Sequence, residues 1–253
     1  MQLYIKEIRY FKTTILLIFT ILLSSYAFYH WGNKEWVVKL GKEDSLFEWL
    51  TTLCYLTAAI FLYATYRKQK SIFYLLLAAV LFFGAGEEIS WGQRLVGFNT
   101  PETLTKVNVQ GEFNIHNLEL FNRKQLNGEN TTGWRRLLEM DLLFKLFTIA
   151  FGFVLPLATY HIQPIGKLVK KLRIPVPPAS LGIFFLVNWV FLKLCTLHTP
   201  TDTELTFEWR VFMAGPETSE AIASFVLLCI GYYFYRHRNS HITGLDFKQQ
   251  NAN

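Results

Sequence analysis

The sequence predicts an all-α membrane protein with about six transmembrane helices, organised as a single domain over residues 1–253. The composition is 51% hydrophobic and only 17% charged, whereas ordinary soluble domains contain about 25% charged residues. Apolar runs recur along the chain, and many approach the ~20 residues that a bilayer-crossing helix needs. Four basic clusters lie at one set of ends of these runs, and nearly all acidic residues lie at the other, which is typical of membrane proteins with a fixed orientation.

Six apolar runs are the predicted spans, and several carry start or kink signals. Their approximate bounds are 14–30, 46–65, 71–90, 141–161, 175–196 and 217–235. Ser45 and Glu48 form a capping-box pattern before the second span. Pro156 predicts a kink in the fourth span, and Pro216 suits the first position of the sixth. A cleaved signal peptide is the alternative for the first span, because its apolar core is short and follows basic residues.

The charge distribution predicts which side of the membrane each loop faces. Basic residues cluster before the first span, in loops 66–70 and 162–174, and after the last span. The positive-inside rule places these segments and both termini in the cytoplasm. Of the nineteen acidic residues, only Glu7 and Asp246 fall on that side. We therefore expect an integral plasma-membrane protein, of the kind found in a bacterial inner membrane.

The net charge of +6 does not indicate a nucleic-acid partner. The cationic residues lie where they orient the chain and contact anionic lipid heads, and the sequence contains no nucleic-acid motif. The three cysteines lie in apolar stretches without a CxxC pair, so they predict no disulfide framework. The lipid bilayer is thus the one partner that composition predicts, and the oligomeric state is not assigned.

The stretch GAGEEISWGQR, residues 84–94, ends the third span in two acids. On a continuing helix, Glu87, Trp91 and Arg94 would share one face, whereas Glu88 would point about 100° away. A carboxylate buried between helices needs a partner, and Arg94, a metal, a proton and a substrate cation are the candidates. The alternative is that both acids lie in the headgroup region.

Two glycines before these acids predict close helix packing. Gly84 and Gly86 lie just below the carboxylates and would allow another helix to approach. Such packing would bury the carboxylates between helices.

The outer loop, residues 91–140, contains the alternating stretch NVQGEFNIHN at 108–117. A period of two predicts an extended segment with one polar and one apolar face. We expect Val109, Phe113 and Ile115 to be buried on the helix bundle and the polar face to line a cleft. The alternative is an ordinary edge strand or hairpin in a solvated loop.

A third group of polar residues surrounds the last outer loop. His198 ends the fifth span, Arg210 lies in a predicted interfacial helix, and Glu220 lies in the sixth span. Within the fifth span, Asn188 is expected to hydrogen-bond to a neighbouring helix.

These residues predict an outward-facing site that combines carboxylates, histidines and arginines. The candidate catalytic residues are Glu87, Glu88, Arg94, His116 and Glu220. Glu88, His116 and His198 supply the ligand types of a divalent-metal site. The candidate substrate contacts are Trp91, Gln93, Asn117 and Arg210.

Two classes of function fit these candidates. The first is a metal-dependent hydrolase or transferase that acts on a lipid or lipid-linked substrate. The alternative is a non-catalytic envelope receptor or assembly protein, or a small-molecule transporter, because buried acids also mark ion pathways. The sequence contains no motif that decides between them.

Overall fold

The computed structural model describes residues 11–42, 45–123, 125–127, 129–197 and 206–239. The all-α prediction is confirmed: these ranges contain no strand, and their β-pairing consists of isolated bridges such as the one between Asn108 and Leu118. The α-helices are α1 (Lys12–Trp31), α2 (Lys34–Leu40), α3 (Leu46–Gln69), α4 (Ile72–Glu88), α5 (Gln93–Val96), α6 (Glu102–Thr105), α7 (Met140–Ile149), α8 (Leu155–His161), α9 (Gln163–Leu172), α10 (Ala179–Cys195) and α11 (Phe207–Arg236).

Four helical stretches in the described part of the chain are long and apolar enough to cross a membrane. They are Lys12–Trp31, Leu46–Gln69, Met140–His161 and Phe207–Arg236. Helix α4 makes a fifth candidate if it is counted with Ser90–Val96, to which it is joined at a bend of 65°. Helix α10 is apolar but has 17 residues, about 26 Å at 1.5 Å per residue. The protein therefore has four or five candidate spans, and a sixth crossing would have to use α10.

Helix α11 is the centre of the bundle, because it packs on α1, α2, α3 and α10, and α3 in turn packs on α4. Small residues bring two of these helices close together: a Cβ added to Gly231 of α11 would lie 3.3 Å from backbone atoms of Ala58 of α3. Around this contact, the apolar core includes Ile18, Leu22, Leu62, Leu181, Val226 and Ile230.

The fourth predicted span is helical throughout, but it widens before Pro156. Residues Ala150–Val154 form a π-helical segment between α7 and α8. Proline has no N–H to donate to the preceding turn, and a widened turn accommodates this gap without breaking the helix. The carbonyl of Gly152 in this segment contacts α10 so closely that a Cβ on Gly182 would lie 1.6 Å from its oxygen.

Two start signals read from the sequence are wrong. Pro216 lies inside α11, which begins at Phe207, so the predicted interfacial helix and the sixth span form one continuous helix. Ser45 precedes α3 but makes no side-chain cap hydrogen bond. Its hydroxyl instead donates to the carbonyl oxygen of Leu40, and the predicted capping box is not formed.

The prediction for Asn188 is confirmed. Its Nδ2 donates to the carbonyl oxygen of Ser219 at 2.8 Å, and its Oδ1 accepts a hydrogen bond from the Tyr26 hydroxyl at 2.9 Å. This buried amide connects α10 to both α1 and α11.

Candidate functional site

The chain turns sharply where α4 ends. Ser90 and Trp91 have φ values of 45° and 55°, and Gly92 has a φ of 77°. Left-handed backbone is natural for glycine but unfavourable for the two residues before it. The continuous helix expected through residue 94 is therefore absent, and the predicted shared face of Glu87, Trp91 and Arg94 is wrong.

The buried carboxylate of Glu87 connects the end of α4 to the outer loop. Its Oε2 accepts hydrogen bonds from the backbone N–H groups of Ile115 at 2.6 Å and His116 at 2.8 Å. The Nδ1 of His116 lies 3.5 Å from the same oxygen. The other oxygen, Oε1, accepts a bond from the indole N–H of Trp91 at 2.6 Å. Hydrogen bonds to a carboxylate are stronger than neutral ones, so Glu87 anchors the loop.

Gly86 makes room for the Trp91 side chain that binds Glu87. A Cβ on Gly86 would lie 2.9 Å from the indole ring, which also packs edge-on against Phe83 with ring centroids 5.6 Å apart. Gly84, by contrast, faces Tyr55 of α3, whose ring would lie 3.4 Å from an added Cβ. An added Cβ at Gly84 would make only ordinary contact with this ring, and the neighbour of Gly86 is the indole, so the expected close approach of helix backbones is not found at either glycine.

Arg94 forms an ion pair with Glu112 of the outer loop, rather than with either acid of α4. Glu112 also accepts hydrogen bonds from the Ser90 hydroxyl at 2.6 Å and from Nδ2 of Asn114 at 3.0 Å. Arg94 thus belongs to a network that holds the outer loop to the turn after α4. The prediction that Arg94 compensates Glu87 or Glu88 is not supported.

The stretch 108–117 is folded into turns rather than extended, and the predicted burial of its apolar residues is wrong: Val109 and Phe113 are only half-buried. Asn108, Asn114 and Asn117 are buried, whereas Ile115 is 43% exposed. Asn108 Nδ2 donates to the carbonyl oxygen of Asn114 at 3.0 Å, and its Oδ1 accepts the Gln110 N–H at 3.0 Å. Asparagine side chains bind nearby backbone in this way in turns, so the polar face satisfies the buried backbone of the loop itself.

Two predicted substrate contacts also hold this loop together. Gln93 accepts the N–H of Phe113 at 2.7 Å and donates to the Thr100 hydroxyl at 2.7 Å. Asn117 donates through Nδ2 to Gln110. With Glu87 and Trp91, these residues form the part of the site that shapes the loop.

The central feature of the site is a pair of carboxyl groups from two helices. Glu88 on α4 and Glu220 on α11 bring their carboxyl groups close enough to interact directly. Since an ionised carboxylate has no donor, a hydrogen bond between them needs a proton on one of the two groups. The hydroxyl of Tyr55 lies 3.2 Å from Glu220 Oε1. The structure thus brings together two residues that the sequence predicted in separate regions.

Other polar groups surround this pair. Glu48 and Glu217 lie close enough to Glu88 for electrostatic interaction. Asp141 and His116 have the same relation to Glu220. His116 thus contacts Glu87 and also interacts electrostatically with Glu220.

Thr52 adds an unpaired hydroxyl on the side of α3 that faces the pair. It follows Glu48 by four residues and precedes Tyr55 by three, so the three share one helix face. Thr52 is 5% exposed, and its Oγ1 has no hydrogen-bond partner within the described ranges. The sequence analysis missed Thr52 and Tyr55, although the i, i+4, i+7 spacing from Glu48 was a signal that could have found them.

The remaining predicted residues do not join this group. Arg210 is exposed near the start of α11, ten residues and about 15 Å along the axis from Glu220. His198 lies outside the described residues. Among those that are described, no three His, Cys, Asp or Glu side chains are spaced to hold a metal ion. The metal set of Glu88, His116 and His198 therefore stays a prediction.

Comparisons with protein-family models, curated proteins and solved structures found no match for this chain. The chemistry of the site is therefore inferred from its residues alone. Those residues can hold a shared proton between two carboxyl groups, next to a phenol, an imidazole and further acids.

Proposed function

We propose that the chain is a membrane hydrolase or transferase, in which Glu88 and Glu220 perform acid–base chemistry on a lipid or lipid-linked substrate. The proximity of these two carboxyl groups, which come from different helices, is the observation that carries this proposal. A pair that holds one proton offers an acid and a base in the same site, which is the arrangement that proton transfer to and from a substrate requires.

The neighbouring residues have separate parts in this proposal. The Tyr55 hydroxyl, 3.2 Å from Glu220, orients that carboxyl group. His116, whose backbone is held by Glu87, is the second acid–base candidate. Arg210, exposed on α11, is the candidate for binding a phosphate of the substrate, because its guanidinium can bind two phosphate oxygens.

The membrane placement supports an amphiphilic substrate. The proposed arrangement has six crossings, with α10 as the fifth, both termini in the cytoplasm and the site in the outer half of a plasma membrane. The carboxyl pair lies near the ends of the helices, so a substrate with a lipid tail would approach it from within the bilayer. The divalent-metal set Glu88, His116 and His198 remains part of the proposal, and metal analysis of the purified protein tests it separately.

The test replaces each carboxyl group with its amide. The full chain is placed in nanodiscs containing lipid extract from its host, and mass spectrometry follows the loss of individual lipids and lipid-linked intermediates. We expect Glu88→Gln and Glu220→Gln each to slow turnover at least about a hundredfold, the usual contribution of general acid–base catalysis. Glu102→Gln, an exposed change in α6, is the matched control. Full turnover in both amide variants would overturn the proposal.

A second candidate, cation or proton transport, is favoured by the surplus of acids. Glu48 and Glu217 lie near the carboxyl pair, and the buried hydroxyl of Thr52 is unpaired within the described residues. Oxygen ligands and buried acids are typical of ion pathways. Charge movement recorded from proteoliposomes after a pH or cation jump tests this function. A signal lost in Glu88→Gln, without lipid turnover in the wild type, would favour transport.

A further inference from the structure

The short helix α9, on the basic side of the bundle, has two opposite faces. It begins at Gln163, directly after the candidate span that ends at His161. Helical spacing places Lys167, Lys170 and Lys171 on one face. The opposite face carries Ile165, Leu168, Val169 and Leu172. Such a helix at the end of a span has the pattern of one that lies in the plane of a membrane surface.

The packing of α9 leaves half of its apolar face uncovered. Val169 is buried against the protein, whereas Leu168 is 52% exposed and Leu172 is 45% exposed. Gly166 lets α9 fold back on α8, since a Cβ there would lie 2.9 Å from the carbonyl oxygen of Thr159. The helix therefore lies across the end of a span, where its uncovered leucines can enter the bilayer boundary.

A second basic segment joins the same surface. The hydroxyl of Ser71 donates to the carbonyl oxygen of Arg173, just after α9, at 2.7 Å. Ser71 follows the end of α3, where Arg67, Lys68 and Lys70 are all exposed. Neither 66–71 nor 162–174 contains an acidic residue, so the two segments, joined by this bond, carry only positive charge.

We propose that this surface, formed by α9 and the end of α3, binds the headgroups of anionic phospholipids. The basic residues match the charge of those headgroups, and Leu168 and Leu172 match the acyl boundary beneath them. A basic residue near an anionic membrane surface contributes about 1 kcal/mol. Since 1.4 kcal/mol corresponds to a factor of ten in affinity, the three lysines of α9 together contribute about a hundredfold. This proposal does not depend on the carboxyl pair.

The first test titrates the full chain in neutral detergent with fluorescent phosphatidylglycerol or phosphatidylcholine. We expect Lys167→Gln/Lys170→Gln/Lys171→Gln to weaken phosphatidylglycerol binding about a hundredfold and to leave phosphatidylcholine binding unchanged. Replacing the same lysines with arginine should restore binding, which excludes misfolding as the cause. The matched control, Lys39→Gln/Lys42→Gln/Lys106→Gln, changes exposed lysines outside this surface. Equal loss in the control, or no loss in the α9 variant, would overturn the proposal.

The second test measures the depth of α9 in bilayers that contain phosphatidylglycerol. Spin labels are attached at Leu168→Cys or Lys170→Cys, with alanine in place of Cys54, Cys195 and Cys229. A label at 168 should collide mainly with oxygen, which concentrates in lipid, whereas a label at 170 should collide mainly with a water-soluble nickel complex. Predominantly aqueous collisions at both positions would show that α9 does not enter the bilayer boundary, and the proposal would fail.

Discussion

A single side chain, Glu87, holds the middle of the outer loop. Its carboxylate receives two successive backbone N–H groups of the loop and the indole N–H of Trp91. Each hydrogen bond to a charged group contributes about 1.5–3 kcal/mol. The neighbouring acid, Glu88, binds no loop backbone and instead meets Glu220. Two adjacent acids therefore have different roles, because the end of a helix directs them about 100° apart.

Glu87→Gln should loosen the loop without removing the carboxyl pair. In the variant, an NH2 group replaces one of the two carboxylate oxygens that accept N–H groups, so at least one of these hydrogen bonds is lost. We therefore expect the free energy of unfolding to fall by about 2–3 kcal/mol. Hydrogen exchange at the amides of Ile115 and His116 should become much faster. Glu88→Gln should leave those two amides protected, and Glu102→Gln should change neither quantity. Unchanged exchange in Glu87→Gln would contradict the anchoring role.

The sequence did not predict which side chains of the outer loop are buried. Alternation in 108–117 predicted an extended segment with a buried apolar face, but the segment forms turns in which burial does not alternate. Asn108 and Asn114 are buried instead, because their amides satisfy the loop backbone. Likewise, Glu48 was interpreted as a helix-start residue, and its proximity to Glu88 depends on the packing of α3 on α4. Contacts between distant segments are set by tertiary packing, which a local pattern does not encode.

Among the elements, the π-helical segment Ala150–Val154 and α10 make the tightest contact involving a glycine. A Cβ on Gly182 would lie 1.6 Å from the Gly152 carbonyl oxygen, and backbone atoms cannot rotate away as a side chain can. Helices in membranes associate through such contacts between small residues. This contact holds α10 in the bundle, although its 17 residues make it shorter than the candidate spans.

Gly182→Ala should therefore separate the two helices. We expect a loss of about 3 kcal/mol in the free energy of unfolding, the upper end of the range for overpacked cores. Gly84→Ala is the matched control, because its Cβ would lie 3.4 Å from the Tyr55 ring, close to ordinary contact. Thermal unfolding of both variants in one detergent provides the comparison. If Gly182→Ala unfolds at the same temperature as Gly84→Ala, the close contact is not formed.

The helical elements themselves were largely predictable from the sequence. The predicted second span, 46–65, begins at the first residue of α3, and the fourth, 141–161, coincides with Met140–His161 to within one residue. A long apolar run predicts a helix because a backbone surrounded by lipid must form all of its hydrogen bonds within the chain. Proline signals were less reliable: Pro216 was assigned to a helix start but lies inside α11. A helix packed in a bundle tolerates proline that would end an isolated one.

At the scale of the whole molecule, charge asymmetry remains the basis for orientation. The basic end of α3 and the residue following α9 are joined by the bond from Ser71 to Arg173, so these two predicted cytoplasmic segments lie at the same end of the bundle. Glu88 and Glu220 lie at the other ends of the apolar runs. Within the described residues, two of the basic segments thus lie together, away from the carboxyl pair.

A reporter fused after Arg238 should be cytoplasmic, and one inserted near Asn127 should be external. This outcome follows from the positive-inside rule and requires α10 to cross the membrane. Alkaline phosphatase and green fluorescent protein fusions at both positions provide complementary readouts, since each is active on only one side of a bacterial inner membrane. An external carboxyl terminus would indicate an odd number of crossings and remove α10 from the spans.

The anchoring of the loop by Glu87 also determines how the carboxyl pair can become accessible. A loop that is fixed at its middle to a helix end cannot swing open like a flap while that bond is intact. It must move together with α4, as one rigid piece. We therefore expect the entrance to the pair to be a lateral gap between helices, facing the acyl chains, that widens when α4 tilts away from α11.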